Sequence, residues 1–204
     1  LVKFKEVGDA FFLLIFSQII VFIIATLIPG YAKTILEVPA EDLSIILFAP
    51  AAAGMIFSAI LIGSFFAKSH KGNLVNYGIL ISGLVLLLFP LTSRIIGRDI
   101  VQFLNLLLPR LVELNIFNFV LVLAFFAGFA NALIFVPSQA LIQGNVPSDF
   151  RSKIYGLLFT LIGVFSLIPI LAAGGIADLF GVGAVLTTIG IIVLLIGLFR
   201  ARIK

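Results

Sequence analysis

The side chains with chemistry to offer are few, and seven of them stand inside long apolar runs: Ser17, Gln18, Asn131, Ser138, Gln139, Tyr155 and Ser166. Asn131 and Ser138 are seven residues apart, so a helix presents them on one face, with Gln139 and Gln143 on the adjoining face. Tyr155, Phe159, Ile162 and Ser166 recur at i, i+4, i+7 and i+11 and form one stripe, beside Thr160 and Gly163. Hydroxyls and carboxamides in such surroundings have two uses. They line a mostly apolar cavity that holds an amphipathic solute by a few convergent polar groups. Alternatively they bond one another between helices, at ~0.6 kcal/mol each. For Gln18 and Asn131 both uses stay open; serine and threonine can bond their own helix backbone, which favours packing. Other chemistries are poorly supplied. The chain has no cysteine and one histidine, which leaves no thiolate metal site and no basis for histidine-centred metal or triad chemistry. No Asp, Glu, Lys, Arg or His lies in the middle of an apolar run, so none is placed as a proton or ion relay; Asp178, at the end of one run, comes nearest. Neither catalysis nor a cofactor is expected.

The elements that position these residues follow from where charge is missing. The 204 residues are 62% hydrophobic and only 11% charged, against about 25% charged in soluble domains. Six charge-free stretches result: 10–32, 43–67, 72–93, 114–148, 154–177 and 179–199. A helix needs about 20 apolar residues to cross the hydrocarbon core, where its backbone must satisfy itself. The expectation is an all-α membrane protein of six transmembrane helices, near 10–32, 43–67, 73–93, 117–142, 154–177 and 181–199. Residues 94–116 are expected to form an amphipathic connection lying in the outer interface, with apolar positions 100, 103, 104, 107, 108 and 111 at helical spacing. Lys and Arg sort across this topology. Nine of the 13, among them Lys3, Lys68, Lys71, Arg151 and Arg200, fall on the side of the two termini, which places both termini in the cytoplasm. The formal charge of +4 is thus a topology signal for a lipid-embedded chain, with no nucleic-acid partner implied.

The second and fifth spans end alike. Gly63 precedes Lys68 and Lys71 at one turn, and Gly174 and Gly175 precede Asp178 and Gly181 at the other. Spans 1–3 and 4–6 therefore read as two three-helix repeats, inverted relative to each other, an arrangement found in secondary transporters. Asp149 and Arg151 fall on the other cytoplasmic loop, at 149–153, where pairing with Lys68 and Lys71 would hold that side closed. Clusters of small residues, Ala51 to Gly54 with Ser58 and Ala172 to Gly175, would let helices approach closely.

The stretch from Asn131 to Gly181 resembles helices 10 and 11 of the major facilitator superfamily, especially its bacterial drug-efflux and siderophore-export branch. Pro137, Ser138, Gln139, Gln143, Val146, Pro147, Arg151 and Gly156 match a Pro-Ser-Gln helix end, a Val-Pro-acid-x-Arg-Gly-Arg loop and a glycine-starting helix. Ser152 and Lys153 replace the loop's Gly-Arg, and Gly144 stands where an acid is frequent. The turn at 63–71 is similar to the weaker copy of the family's Gly-x-x-x-Asp-Arg-x-Gly-Arg motif, with Gly63, Lys68 and Lys71 matching in character and Ala67 and His70 departing from it. The resemblance implies half of a twelve-helix major facilitator fold, the C-terminal half, whose partner is an N-terminal six-helix half. It implies a multi-pass protein of the bacterial inner membrane that moves small amphipathic organic solutes outward by alternating access, an antiporter. Its cavity would be drawn from Ser17, Gln18, Asn131, Ser138, Gln139, Tyr155 and Ser166, and its cytoplasmic gate from Gly63, Lys68, Lys71, Asp149 and Arg151. The alternative is a self-contained six-span membrane scaffold or assembly protein without transport activity.

Overall fold

In a computed structural model, residues 2–32, 47–66, 71–95 and 116–203 are described, and their regular structure is entirely helical. The order is α1 (Val2–Tyr31), α2 (Ala49–Ser64), α3 (Lys71–Ile95), α4 (Ile116–Asn145), α5 (Ser148–Phe180) and α6 (Val182–Ile203). Five of the six, all but α2, are long and apolar enough to cross a membrane, which gives the chain a multi-pass, membrane-embedded character. Helix α2 has 16 residues, or ~24 Å at 1.5 Å per residue, short of the ~30 Å core. The wider span expected at 43–67 draws on residues 43–46 and 67, which lie outside the described residues, as do most of the connection at 94–116, Lys68 and His70.

Helices run past the charge-free stretches. α5 starts at Ser148, directly after Pro147, so Asp149, Arg151 and Lys153 lie in its first turns rather than on a loop. Proline is suited to this place because it has no N–H to satisfy and cannot continue α4. At the other end of α5 a single residue, Gly181, separates two helices with φ +84°, a conformation glycine adopts without a Cβ penalty. Its N–H bonds the Ala177 carbonyl at 2.9 Å and closes the last turn.

Contacts fix the direction of each helix. α1 meets α4 through Ser17 and Asn131 and, nearer its start, through Ala10, Leu14, Ile142 and Val146, so the two are antiparallel. α1 and α5 run parallel, with Leu14 beside Leu158 and Ile162 at one end and Gly30 against Val182, just beyond α5, at the other. α3 packs on α4 and α6, and α2 packs on α4. Both chain ends therefore lie at one end of the bundle, with the α2–α3 and α4–α5 turns. The core runs along the bundle from Leu13, Val75 and Ile79 through Ile134 and Val193 to Leu27 and Tyr31.

The α2–α4 crossing is the tightest. A Cβ on Gly54 would overlap the Phe125 carbonyl, and one on Gly128 would overlap that of Ala51, so each glycine admits the other helix's backbone. The small residues at 51–54 are thus used as the sequence suggests. Gly174 and Gly175 have nothing within 4 Å of where a Cβ would stand, whereas Ala173 is buried in the core, so the second cluster packs through its alanine and not through its glycines.

Candidate functional site

A cavity of about 470 Å³ opens between α1, α2, α3 and α4, with Leu186 of α6 in its wall. It fits the ~300–1,000 Å³ range of sites for small molecules. Helix periodicity builds it from α1: Ser17, Ile20, Ile24, Leu27 and Tyr31 succeed one another at three or four residues and share a face. Ser17 and Tyr31 are fourteen residues apart, so the cavity extends ~21 Å along α1. Most of the lining lies between the middle of the bundle and the end away from the termini, with Ile134 and Phe135 of α4 extending it a turn past the middle.

Its polar groups are unevenly spread. Ser17, Gln18, Ser82 and Asn131 lie at the deep, mid-bundle end, and Tyr31 lies at the far end. Between them the wall is Ile, Leu, Val, Ala, Phe and Met, and no charged side chain lines it. Asn131 Nδ2 donates to Ser17 Oγ at 2.9 Å, joining α1 to α4. Ser17 is 1% exposed and is committed to that bond. The half-buried Gln18 carboxamide has no hydrogen-bond partner among the described residues and lies at the wall. A carboxamide offers both donor and acceptor, so Gln18 is the group best placed to meet a polar atom of a solute. Tyr31 Oη donates to the Phe89 carbonyl at 2.9 Å and lies 2.7 Å from Thr92 Oγ1, which locks the C-terminal end of α1 to α3.

The remaining cavity candidates lie elsewhere. Tyr155 Oη donates to Gln139 Oε1 and ties α5 to α4 near the terminal end. Ser166 Oγ donates to its own helix at the Gly163 carbonyl, 3.1 Å away. Ser138 is fully buried, its Oγ without a partner. None of these four lines the cavity. Periodicity correctly set Ile162 and Ser166 on one buried face, but that face packs inward, while Phe159 is exposed. Tyr31 and Ser82 were missed. The Ser17-to-Tyr31 periodicity was available in the sequence, whereas nothing marked Ser82.

Among the gate residues, Arg151 Nε donates to the Val146 carbonyl at 3.1 Å and Arg151 Nη2 to the Gln143 carbonyl at 2.8 Å. The side chain thereby satisfies carbonyls at the end of α4 that have no helical donor. Asp149 Oδ1 accepts from Ser148 Oγ at 3.0 Å. Lys71 opens α3 and is exposed, and Gly63 has open space around it. Among the described residues no ion pair joins Asp149 to Lys71. Asp178 is exposed in the last turn of α5. No protein-family model, curated protein or solved structure matches this chain.

Proposed function

We propose that this chain forms the solute-binding wall of a secondary transporter in a bacterial inner membrane, with both termini cytoplasmic, corresponding to the C-terminal half of a major facilitator fold and exporting small amphipathic organic solutes. The carrying observation is the cavity: apolar over most of its ~21 Å, polar at its mid-bundle end through Gln18 and the Ser17–Asn131 pair, and free of charge. Such a wall suits a solute with an extended apolar part and an uncharged polar group, since a net charge would meet no counter-charge there. Helix pairing supports the inverted repeat. Exchanging α1, α2 and α3 with α4, α5 and α6 turns the α2–α4 contact into α5–α1 and leaves α1–α4 and α3–α6 unchanged, and all of these contacts occur, although the extensive α3–α4 contact has only a slight counterpart in α6–α1. Coupling to an ion is assigned to the partner half, because no Asp, Glu, His, Lys or Arg among the described residues lines this cavity.

The test is transport by the complete protein carrying Gln18→Leu or Asn131→Leu. Each change is expected to lower transport or alter solute selectivity by about tenfold, the equivalent of ~1.4 kcal/mol, a typical loss when one hydrogen bond to a solute goes unmade. Unchanged rate and selectivity in both variants would remove the cavity assignment.

A further inference from the structure

Two buried polar atoms near the terminal end of the bundle have no hydrogen-bond partner among the described residues: Asn76 Oδ1 on α3 and Arg200 Nε on α6. Asn76 is only 8% exposed. The packing register brings the two residues together. α3 and α6 are antiparallel, with Leu87 against Gly190, Gly83 against Leu194 and Leu80 against Gly197. One further turn sets Asn76 at the level of Arg200 and Ala201. Asn76 is also seven residues from Gly83, hence on the face of α3 that meets α6.

The unmet needs are complementary in kind. An Arg Nε–H requires an acceptor, preferably an anionic one, and a carboxamide oxygen requires a donor. The surroundings favour an anion. Arg202 and Lys71 are exposed at the same end, the N-terminus of the 25-residue α3 points there, and neither α3 nor α6 carries an acidic residue. The level is that of a headgroup layer, since both helices are apolar immediately beyond it, α3 from Tyr77 onward and α6 up to Phe199.

We infer that this end of the α3–α6 pair binds the headgroup of an anionic phospholipid, its phosphodiester oxygens accepting from Arg200 and a hydroxyl of its head alcohol donating to Asn76. A phosphate alone answers only the arginine; the head hydroxyl answers the asparagine. The site is independent of the solute cavity and stands whether or not the chain transports.

The test uses the whole chain in nanodiscs of phosphatidylcholine with graded phosphatidylglycerol, read by native mass spectrometry for retained lipid and by thermal denaturation. Retention of one phosphatidylglycerol per chain is expected, with a raised Tm. Arg200→Gln is expected to weaken retention about tenfold through loss of a charge-assisted bond. Arg200→Lys, which keeps the charge for topology, is expected to lose part of it, and Asn76→Leu to lower the preference for phosphatidylglycerol over phosphatidic acid. Arg202→Gln is expected to change little. Equal losses in Arg202→Gln and Arg200→Gln would mean diffuse attraction and overturn the site, as would wild-type retention in Arg200→Gln. A Tm in pure phosphatidylcholine equal to that with phosphatidylglycerol, lowered non-additively by Asn76→Leu and Arg200→Gln, would mean that the two side chains pair with each other and would also overturn it. Inorganic phosphate that raises the Tm in phosphatidylcholine as much as phosphatidylglycerol does would overturn the lipid as its source.

Discussion

Asn131 and Ser17 are 114 positions apart in sequence, and their bond joins the first helix of each half of the chain. Hydrogen bonds between membrane helices average ~0.6 kcal/mol, because the separated helices also find partners. A double-mutant cycle with Ser17→Ala and Asn131→Ala is expected to give a coupling of that size by unfolding in detergent or bicelles. A coupling near zero would mean that the pair does not hold α1 to α4. Arg151 acts differently, through the Gln143 carbonyl in the last turn of α4 and the Val146 carbonyl just beyond it. Arg151→Ala is expected to destabilise by ~1 kcal/mol, the lower end for bonds to a charged group given its exposure, with hydrogen exchange rising at the end of α4. Exchange unchanged there would exclude the capping role. At this scale the sequence was partly legible. Gln18 and Asn131 stand out because carboxamides are costly in an apolar run. Ser138, Gln139, Tyr155 and Ser166 stand out equally, yet periodicity reports a residue's face on its own helix and not which neighbour that face meets.

At the scale of the elements, the α2–α4 crossing rests on Gly54 and Gly128, where any Cβ would strike backbone. Gly54→Val and Gly128→Val are each expected to cost more than ~3 kcal/mol, because a backbone contact cannot rotate aside as a side chain can. Gly63→Ala and Gly174→Ala, with open space around both, are expected to change stability by less than ~1 kcal/mol, and the helix propensity of alanine acts in their favour. Thermal unfolding of the four variants checks the contrast, and similar losses in all four would contradict it. The charge-free stretches located the apolar helices but not their ends. Hydrocarbon excludes charge, whereas a helix continues into water until a proline or glycine stops it, as at Pro147 and Gly181. The closeness of Gly54 to Gly128 was legible only as a cluster of small residues. Which helix it would meet depends on the whole bundle.

At the scale of the whole molecule, the 33-residue α5 carries Asp149 and Asp178 to opposite ends, and the cavity opens in the half of the bundle away from the termini. A transporter wall must present that cavity to each side of the membrane in turn, whereas a packing void need present it to neither. These 204 residues have no cysteine, so a single thiol introduced among them has no background from this part of the protein, and any cysteine elsewhere in the complete protein is replaced first. The direct measurement is the reactivity of Ala127→Cys, on the cavity wall contributed by α4, toward a membrane-impermeant thiol reagent in right-side-out and inside-out vesicles of cells making the complete protein. Asp178→Cys and Lys71→Cys serve as markers for the two sides. The expected result is labelling of Ala127→Cys from both sides, while each marker reacts from one side only. Labelling from a single side, or from neither, would contradict alternating access through this cavity.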